Sequence, residues 1–386
     1  MNPDSSRPLS RRAVLQTGAL SALTLLVAAC GGDGDSSTTT PSSAPDTADT
    51  TEATDTADTA AGSTSTAAPT STVAPKPTVP GETTTTVPAG PVYPLTGLAI
   101  TDDAKAARPA LVAKIDNHPE ARPQFGLNLA DIVFEENVES LTRFAAVFQS
   151  QDVDRVGPVR SGRTQDVNLL GSLDEPMFVW SGGNGRVTAA INASDLVNLS
   201  PTTTKNVGFF RQKRGNEHSE HTLYARPTEI WATFTRVYAP APGAQFTYRA
   251  AGEAFNGEAT KGVDVKMDGI NVNWTWDAGT TSYLRSMNGK SHDVAEGGQV
   301  NAANVVVLEV DYQPSPADRR SPEAQTLGTG TVYVFTGGVM VTGTWKRDDR
   351  LQPFTLTDDD GAVIAITPGR TWVELARKNT TSPVTS

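Results

Sequence analysis

The chain has 386 residues, a formal net charge of −11 and a single cysteine, Cys30. Its 6 Trp, 7 Tyr and 12 Phe residues all lie at or beyond Tyr93, so the residues before Tyr93 cannot build an ordinary hydrophobic core. One cysteine excludes a disulfide framework and a cysteine-based zinc site. Residues 93–386 carry a net charge of −6. This argues against a nucleic-acid-binding protein, since such proteins need a basic surface to displace counterions.

Residues 1–29 have the pattern of a bacterial signal peptide. Arg11 and Arg12 precede an apolar stretch, 13–29, which is shorter than the roughly 20 residues that a membrane-spanning helix needs. The sequence Val27–Cys30 is typical of a lipobox, and the paired arginines are similar to a twin-arginine export signal. We expect Cys30 to carry lipid and to anchor the protein to the extracytoplasmic face of the cell membrane. An uncleaved membrane helix and export by the general route are the alternatives.

The segment 30–92 follows as a predicted tether. Thr, Ala, Ser, Asp and Pro dominate residues 31–92, and such a composition cannot bury enough apolar surface to offset the entropy of the chain. As a flexible coil it would reach about 40–50 Å, which is enough to hold a folded domain away from a membrane. Its Ser, Thr and Pro content leaves O-glycosylation open, although an unmodified spacer is the simpler interpretation.

The segment 93–245 alternates short apolar runs with helical patterns and is predicted to be a mixed α/β domain. The predicted strands are Ala110–Ile115, Ile132–Phe134, Phe144–Phe148 and Met177–Trp180, and the predicted helices follow Arg163 as far as Leu170 and cover 186–192 and 229–234.

In the segment 246–386, apolar residues recur at every second position. Alternating apolar residues, as in Val263 to Met267 and Val272 to Trp276, lie between turns such as Asp268-Gly269 and Asn288-Gly289. This pattern predicts a β-rich domain, either a sandwich or a partial barrel. The whole chain is therefore predicted to be α+β, with a boundary near residue 245.

Charged side chains concentrate at the ends of the predicted strands in the first domain, where α/β folds usually place their sites. Two arginines three residues apart near a helix start offer forked donors that suit phosphate or carboxylate. We therefore predict a site for an anionic ligand formed by Asp116, His118, Arg122, Arg143, Arg160, Arg163 and His221. The alternative is that these arginines form a structural network with Glu135 and Glu139.

Other candidate motifs carry less weight. Glu217–His221 would supply metal ligands if His118 and Asp116 lay nearby. However, the spacing His-x-x-His is common by chance and HExxH is absent, so no metal ligand is predicted. Ser181–Gly185 lacks the spacing of a phosphate-binding loop and is interpreted as a tight turn. Neither a cofactor nor a catalytic residue is predicted.

Several ordered motifs resemble the YerB-like family of bacterial lipoproteins. They cover roughly 93–375 and comprise Ile115–Pro119, Ala121–Gln124, Ala130–Val133, Glu135, Glu139, Thr142–Phe144, Gly157–Ser161, Arg163, Asn304-Val305, Gly343–Lys346, Pro368-Gly369 and Thr371-Trp372. One departure is Glu220–Tyr224, where the family usually has Pro before the His and Asn after it. The resemblance implies a two-domain, lipid-anchored envelope protein whose biochemical role is unassigned.

Three functions remain open. The first is binding of an anionic envelope ligand, such as a fragment of a cell-wall polymer, by the predicted cluster. The second is a metal-dependent phosphotransferase or hydrolase acting on wall-polymer precursors, since the outline of strand, acid and Pro-x-Arg resembles the LytR–CpsA–Psr transferases. The third is a protein-interaction scaffold that works through the β-rich half.

Overall fold

The computed structural model describes residues 90–236, 240–250, 253 and 255–385. The predicted signal peptide, the lipobox with Cys30 and nearly all of the tether lie outside the described residues. Within the described residues, no helix combines the length and the apolarity needed to cross a membrane.

The helices are short and the strands are numerous. Among the described residues the α-helices are α1 (Asp103–Ala107), α2 (Gln165–Leu169), α3 (Gly185–Ala193) and α4 (Pro227–Phe234), and single turns of 3-10 helix cover Pro119–Ala121, Leu127–Leu129, Gly171–Leu173 and Ser219–His221. The strands are β1 (Leu111–Asp116), β2 (Ile132–Val138), β3 (Leu141–Phe148), β4 (Met177–Val179), β5 (Val197–Leu199), β6 (Phe209–Arg211), β7 (Leu223–Ala225), β8 (Thr247–Tyr248), β9 (Glu258–Met267), β10 (Ile270–Asp277), β11 (Ser282–Met287), β12 (Lys290–Ser291), β13 (Asn301–Ala302), β14 (Asn304–Val310), β15 (Tyr312–Pro314), β16 (Pro322–Ala324), β17 (Gly328–Thr336), β18 (Val339–Arg347), β19 (Thr355–Asp358), β20 (Ala365–Ile366), β21 (Thr371–Arg377) and β22 (Thr381–Thr385).

One large mixed sheet joins the two halves of the sequence. In the described residues it has 16 strands, and its main path runs β12-β11-β10-β9-β18-β17-β14-β21-β2-β3-β1-β4-β5. The junction is a parallel pair, β2 with β21, in which Ile132 lies opposite Thr371 and Glu135 opposite Glu374. A strand from the first half and a strand from the second half are therefore neighbours at the centre of the sheet.

The central strands are buried on both faces. In β1, Leu111 and Ala113 belong to one apolar cluster, whereas Val112 belongs to the other. This explains why these strands have continuous apolar runs in the sequence rather than strict alternation. Helix α4 covers the first face through Trp231, and α3 covers the second face through Ile191.

The sheet curls over its first face. Strands β10 and β21 are separated by four strands in the sheet order, yet the rings of Trp274 and Trp372 have centroids only 5.2 Å apart. Val263 and Val272 join the same cluster as Val305. The sequence predicts core positions for Trp274, Trp276, Trp345 and Trp372; three of these are fully buried, whereas Trp276 is only partly buried.

The described chain is mostly β, and the predicted α/β character of the first half is only partly present. The expected strands are found, and the three expected helices are present as α2, α3 and α4. They contain only five, nine and eight residues. Helix α2 starts later than predicted, because the backbone N–H of Arg163 donates to the Asp166 carboxylate at 2.7 Å and ends the preceding extended segment. A domain boundary near residue 245 stays a prediction.

Candidate functional site

The candidate site lies where three extended segments end side by side. Strand β1 ends at Asp116, directly opposite Arg143 of the antiparallel β3. The backbone of 158–160 runs along the other side of β1: Asp116 N–H donates to Pro158 O at 2.9 Å, and Arg160 N–H donates to Lys114 O at 2.8 Å. Val159 N–H in turn donates to Leu223 O of β7, which brings the turn before β7 to the same place.

These segments surround a pocket of about 260 Å³. Its lining residues come from the end of β1, the β2–β3 hairpin, the segment after Pro158 and the turn before β7: Asp116, His118, Val138, Glu139, Ser140, Leu141, Thr142, Arg143, Arg160 and His221. Six of these ten residues carry charged or imidazole groups.

Asp116 and His221 form a buried dyad in this pocket. The Nδ1 of His221 lies 2.6 Å from Asp116 Oδ2, and both side chains are only 4% exposed. A carboxylate only accepts hydrogen bonds, so Nδ1 of His221 donates to Asp116, and in the neutral imidazole Nε2 presents its lone pair. This is the arrangement that prepares an imidazole for general-base catalysis or for metal binding.

His118 packs on this dyad. Its ring stacks against the His221 ring with centroids 4.3 Å apart and an angle of 8° between the planes. His118 also caps the turn Pro119–Ala121, because its Nδ1 accepts a hydrogen bond from Glu120 N–H at 3.3 Å. The backbone N–H of His118 donates to Asp116 Oδ1 at 3.0 Å, so both carboxylate oxygens of Asp116 are occupied.

The arginines differ in how completely the protein satisfies them. Arg160 contacts two carboxylates: its Nε lies 3.3 Å from Asp116 Oδ2, and its Nη2 lies 2.8 Å from Glu220 Oε2. Arg163 contacts one, with its Nη2 3.2 Å from Glu139 Oε1. Arg143 is only 7% exposed. Its one hydrogen bond among the described residues runs from Nη1 to Ser161 O at 3.2 Å, and no carboxylate there forms an ion pair with it.

The electrostatic surroundings of Arg143 reflect this lack of a counterion. Burial and the neighbouring Arg163 guanidinium lower the pKa of Arg143 to about 9, against the attraction of Asp116. Removing a cation from water without a partner carries a large free-energy cost. An anion bound in the pocket would relieve that cost.

Two buried charge clusters lie behind the pocket. In the first, Lys114 is completely buried and contacts the carboxylates of Glu136 and Asp166, the latter at 2.7 Å. Burial lowers the pKa of Lys114 to about 8, although Asp166 opposes the shift. Because Asp166 also accepts from Arg163 N–H, this cluster fixes the backbone from which Arg163 extends.

The second cluster connects the site to the second half of the chain. Gln124 Nε2 donates to Asp116 O at 3.0 Å, and Gln124 Oε1 lies 2.9 Å from His292 Nε2. His292 Nδ1 accepts from Arg285, whose Nη2 contacts both oxygens of Glu135 at 2.9 and 2.7 Å. Burial and Arg285 lower the pKa of His292 well below 6.5, so its ring is neutral in this network.

The structure brings five of the seven predicted site residues to the pocket, namely Asp116, His118, Arg143, Arg160 and His221. Arg163 lines an adjacent cavity that shares Glu139. Arg122 lies in a different pocket beside His292, where its guanidinium donates to Asn117 Oδ1 and O. The alternative network is found for Glu139, which pairs with Arg163, whereas Glu135 pairs with Arg285 instead.

Two carboxylates at the site were not among the predicted residues. Glu220 pairs with Arg160, and its Oε1 lies 3.6 Å from His221 Nε2. Glu120 accepts a hydrogen bond from His218 N–H at 2.7 Å. Glu220 belongs to Glu217–His221, which the sequence offered as possible metal ligands, and Glu120 lies two residues after His118; neither was assigned to the anion site.

The described residues thus define a class: a mostly β protein in which two halves share one mixed sheet and a charged pocket opens at the end of β1. Two family models match the chain. A "Protein of unknown function (DUF3048) N-terminal domain" matches residues 95–239, and the corresponding C-terminal domain matches residues 263–373.

A curated relative and a solved structure agree with these matches. "Putative lipoprotein YerB" from Bacillus subtilis (strain 168) is 29% identical over 292 residues, which is 73% of this chain and 85% of the relative. The crystal structure of the YerB protein from Bacillus subtilis has a TM-score of 0.65 at 24% identity and covers 76% of this chain and 99% of its own; that likeness establishes the fold. The chain belongs to this two-domain YerB-like family, whose function is unassigned.

Proposed function

We propose that this protein is a lipid-anchored envelope protein that binds an anionic ligand in the pocket formed by Asp116, Arg143, Arg160 and the stacked histidines. Arg143 carries the proposal: it is a buried guanidinium at a pocket wall, and no carboxylate of the described residues pairs with it. A phosphate or carboxylate group would supply the missing counterion through bidentate hydrogen bonds.

The size and position of the pocket favour one charged group with part of its carrier. A cavity of about 260 Å³ is at the lower end of small-molecule sites, which usually measure about 300–1,000 Å³. We therefore propose a phosphate-bearing or uronic-acid-bearing unit of a cell-wall polymer as the ligand. Anchoring through Cys30 would place the protein at the extracytoplasmic face of the membrane, where such polymers lie. The Bacillus subtilis relative, which is named as a lipoprotein, supports this anchoring.

Calorimetry on the full chain with inorganic phosphate, pyrophosphate and phosphorylated glycans tests the binding proposal. We expect Arg143→Lys and Arg160→Ala each to weaken binding by at least about tenfold, since one charge-assisted hydrogen bond contributes about 1.5–3 kcal/mol. Arg226→Ala is the matched control, because Arg226 is exposed and stacks on Phe210 away from the pocket. Equal affinity in all three variants would overturn the assignment. Absence of any ligand binding, together with co-purifying proteins, would favour the scaffold function.

The anchor has its own test. Radiolabelled palmitate should be incorporated into the wild-type protein in bacterial cells, and Cys30→Ser should abolish the label and move the protein from the membrane fraction to the soluble fraction. Retention of the Cys30→Ser protein in the membrane fraction after alkaline washing would instead support the uncleaved helix.

A second candidate function is hydrolysis or phosphoryl transfer at the same pocket, and the Asp116–His221 dyad favours it. His221 Nε2 is free to accept a proton from water or from a hydroxyl group of a substrate. Release of phosphate from a lipid-linked pyrophosphate is the assay. We expect Asp116→Asn to reduce kcat by about 10²–10⁴-fold with little effect on KM. Binding without turnover would leave the protein as a binding protein alone.

A further inference from the structure

We propose that His118, Glu120 and His221 form a binding site for a divalent transition-metal ion at the mouth of the pocket. One potential ligand atom from each of these residues lies within 4.8 Å of those of the other two. Two imidazoles and one carboxylate are a recurrent protein ligand set for zinc, iron and manganese. The sequence offered metal ligands in Glu217–His221 only if His118 and Asp116 lay nearby, and the chance frequency of His-x-x-His argued against a site; the structure places the rings of His118 and His221 4.3 Å apart.

His221 is already oriented as a metal ligand. Its Nδ1 is held at 2.6 Å by Asp116 Oδ2, and a metal-binding histidine almost always donates its other ring N–H to such a carboxylate. Nε2 is therefore the ring nitrogen that is left to bind a metal ion. Asp116 thus acts as a positioning residue for the proposed metal site.

Carboxylates are available on two sides of His221. Glu120 is held in place by the hydrogen bond from His218 N–H to Oε2. Its Oε1 lies 4.0 Å from His218 Nε2 and accepts no hydrogen bond among the described residues. Glu220 Oε1 lies 3.6 Å from His221 Nε2, although its other oxygen pairs with Arg160. A metal ion beside Nε2 would therefore find a first carboxylate in Glu120 and a further donor in Glu220.

His118 must turn to complete the site. Its ring is stacked almost parallel to the ring of His221, with 8° between the planes, and an ion cannot lie in both ring planes at once. His118 is only partly buried, and its ring is restrained by a single hydrogen bond of 3.3 Å from Glu120 N–H. Rotation of His118, rather than of the fixed His221, therefore completes the coordination.

The nitrogen ligands select the class of ion. Magnesium and calcium prefer sites made of oxygen ligands alone, whereas tetrahedral zinc accepts two imidazoles, a carboxylate and one open position. That open position would face the pocket next to Arg160. The proposed metal site does not depend on the anionic ligand, since each can be measured without the other.

Calorimetric titration of the metal-free full chain with ZnCl₂ and with MgCl₂ tests the proposal. We expect one equivalent of zinc and no saturable magnesium binding. His118→Ala and His221→Ala should each lower zinc affinity by at least about 100-fold, and Asp116→Asn should lower it by about 10–100-fold. Circular dichroism and thermal melting confirm that each variant is folded.

Glu217→Gln is the matched control, because Glu217 is in the same loop but its carboxylate accepts hydrogen bonds from Arg214 N–H and Gly215 N–H instead of joining the three proposed ligands. We expect this variant to keep the wild-type affinity. Cobalt(II) substitution supplies a second readout, since a tetrahedral site gives intense visible absorption that His118→Ala should abolish. Zinc affinity unchanged in the His118→Ala/His221→Ala double variant, or lost in Glu217→Gln alone, would overturn the proposal.

Discussion

Two carboxyl groups face each other in the core, and the structure predicts opposite roles for them. Glu135 and Glu374 are register partners on β2 and β21, and both are fully buried. Glu135 accepts two hydrogen bonds from Arg285, one from Thr142 and one from Trp372. Burial and the negative charge of Glu135 raise the pKa of Glu374 well above its usual 4.5. Glu135 is therefore the ionised member and Glu374 the protonated one.

Glu374→Gln should leave the free energy of unfolding within about 1 kcal/mol of wild type below pH 4.5, where the carboxyl is protonated in both the folded and the unfolded state, since an amide closely mimics a protonated carboxyl. It can still accept the hydrogen bond from Trp274 Nε1, which is 2.8 Å long in the wild-type protein. Arg285→Met should cost about 3–5 kcal/mol, because it leaves the carboxylate of Glu135 buried without its cation. That loss is a large part of the total stability of an ordinary domain, about 5–15 kcal/mol.

The raised pKa of Glu374 also predicts how the stability of the wild-type protein changes with pH. A carboxyl whose folded pKa is raised binds more protons in the folded state than in the unfolded state, so its contribution to stability falls as pH rises above 4.5. The slope is at most about 1.4 kcal/mol per pH unit. The variant lacks this titratable carboxyl. Its free energy of unfolding should therefore exceed that of wild type by an increasing amount as pH rises above 4.5, and the two values should converge below pH 4.5.

Urea denaturation of wild type and both variants, followed by tryptophan fluorescence between pH 4 and 8, measures these differences. Near-equal losses for Glu374→Gln and Arg285→Met at pH 7 would mean that both carboxyls are ionised. A constant difference between Glu374→Gln and wild type across this range would show that the carboxyl of Glu374 has an ordinary pKa.

Two further predictions concern stability. Lys114→Met should cost about 3–5 kcal/mol in urea denaturation at pH 7, because the carboxylates of Glu136 and Asp166 would lose their buried cation; a loss below about 1 kcal/mol would show that these groups do not depend on that charge. Gly262→Ala should cost about 2–4 kcal/mol, since its φ is +144° and an added Cβ would lie 1.8 Å from Trp274 O. Gly185→Ala is the control, because nothing lies within 4 Å of a Cβ there. Equal thermal stability of the two alanine variants would contradict the close approach of β9 and β10.

The strands could be predicted where burial is continuous, and could not where they are very short. Apart from Lys114, the residues of Ala110–Ile115 and Phe144–Phe148 are all apolar, because both faces of the central sheet are covered. Strands β5, β6 and β7 contain three residues each, which is too few to show a period. The pairing of β2 with β21 joins residues more than 230 positions apart, and no local pattern carries that information.

The sequence predicts the end of β2 too early, because two charged residues of this strand are buried. Glu135 and Glu136 look like polar residues that follow a short strand, so the sequence predicted a strand over Ile132–Phe134. Strand β2 instead continues to Val138 with both glutamates fully buried. Their counterions, Arg285 and Lys114, are supplied by β11 and β1. A charge that is neutralised by a distant residue therefore does not end a strand, and a single sequence does not reveal that partner.

Most of the predicted site residues lie at neighbouring strand ends and reach one pocket, whereas Arg122 lies in another pocket. Asp116 and Asn117 are consecutive residues at the end of an extended strand, so their side chains point to opposite sides. Asp116 faces the pocket, whereas Asn117 binds the guanidinium of Arg122 on the other side. Arg122 was predicted at the site because it is close to Asp116 in the sequence. Since the side chains of Asp116 and Asn117 point to opposite sides, Arg122, which binds Asn117, lies away from the pocket of Asp116.

This separation gives a direct comparison of two arginines from one predicted set. Arg122→Ala should leave the affinity for inorganic phosphate or pyrophosphate unchanged within about twofold, because Asn117 Oδ1 keeps a hydrogen bond from Gln124 at 3.1 Å and the pocket keeps all its lining residues. Arg160→Ala should weaken binding by at least about tenfold, because it removes a charged donor at the wall of the pocket. Both variants are measured by calorimetry at one ionic strength, since salt screens such contacts. Equal losses would mean that binding reflects the net charge of the domain, and a loss confined to Arg122→Ala would place the anion in the pocket beside His292.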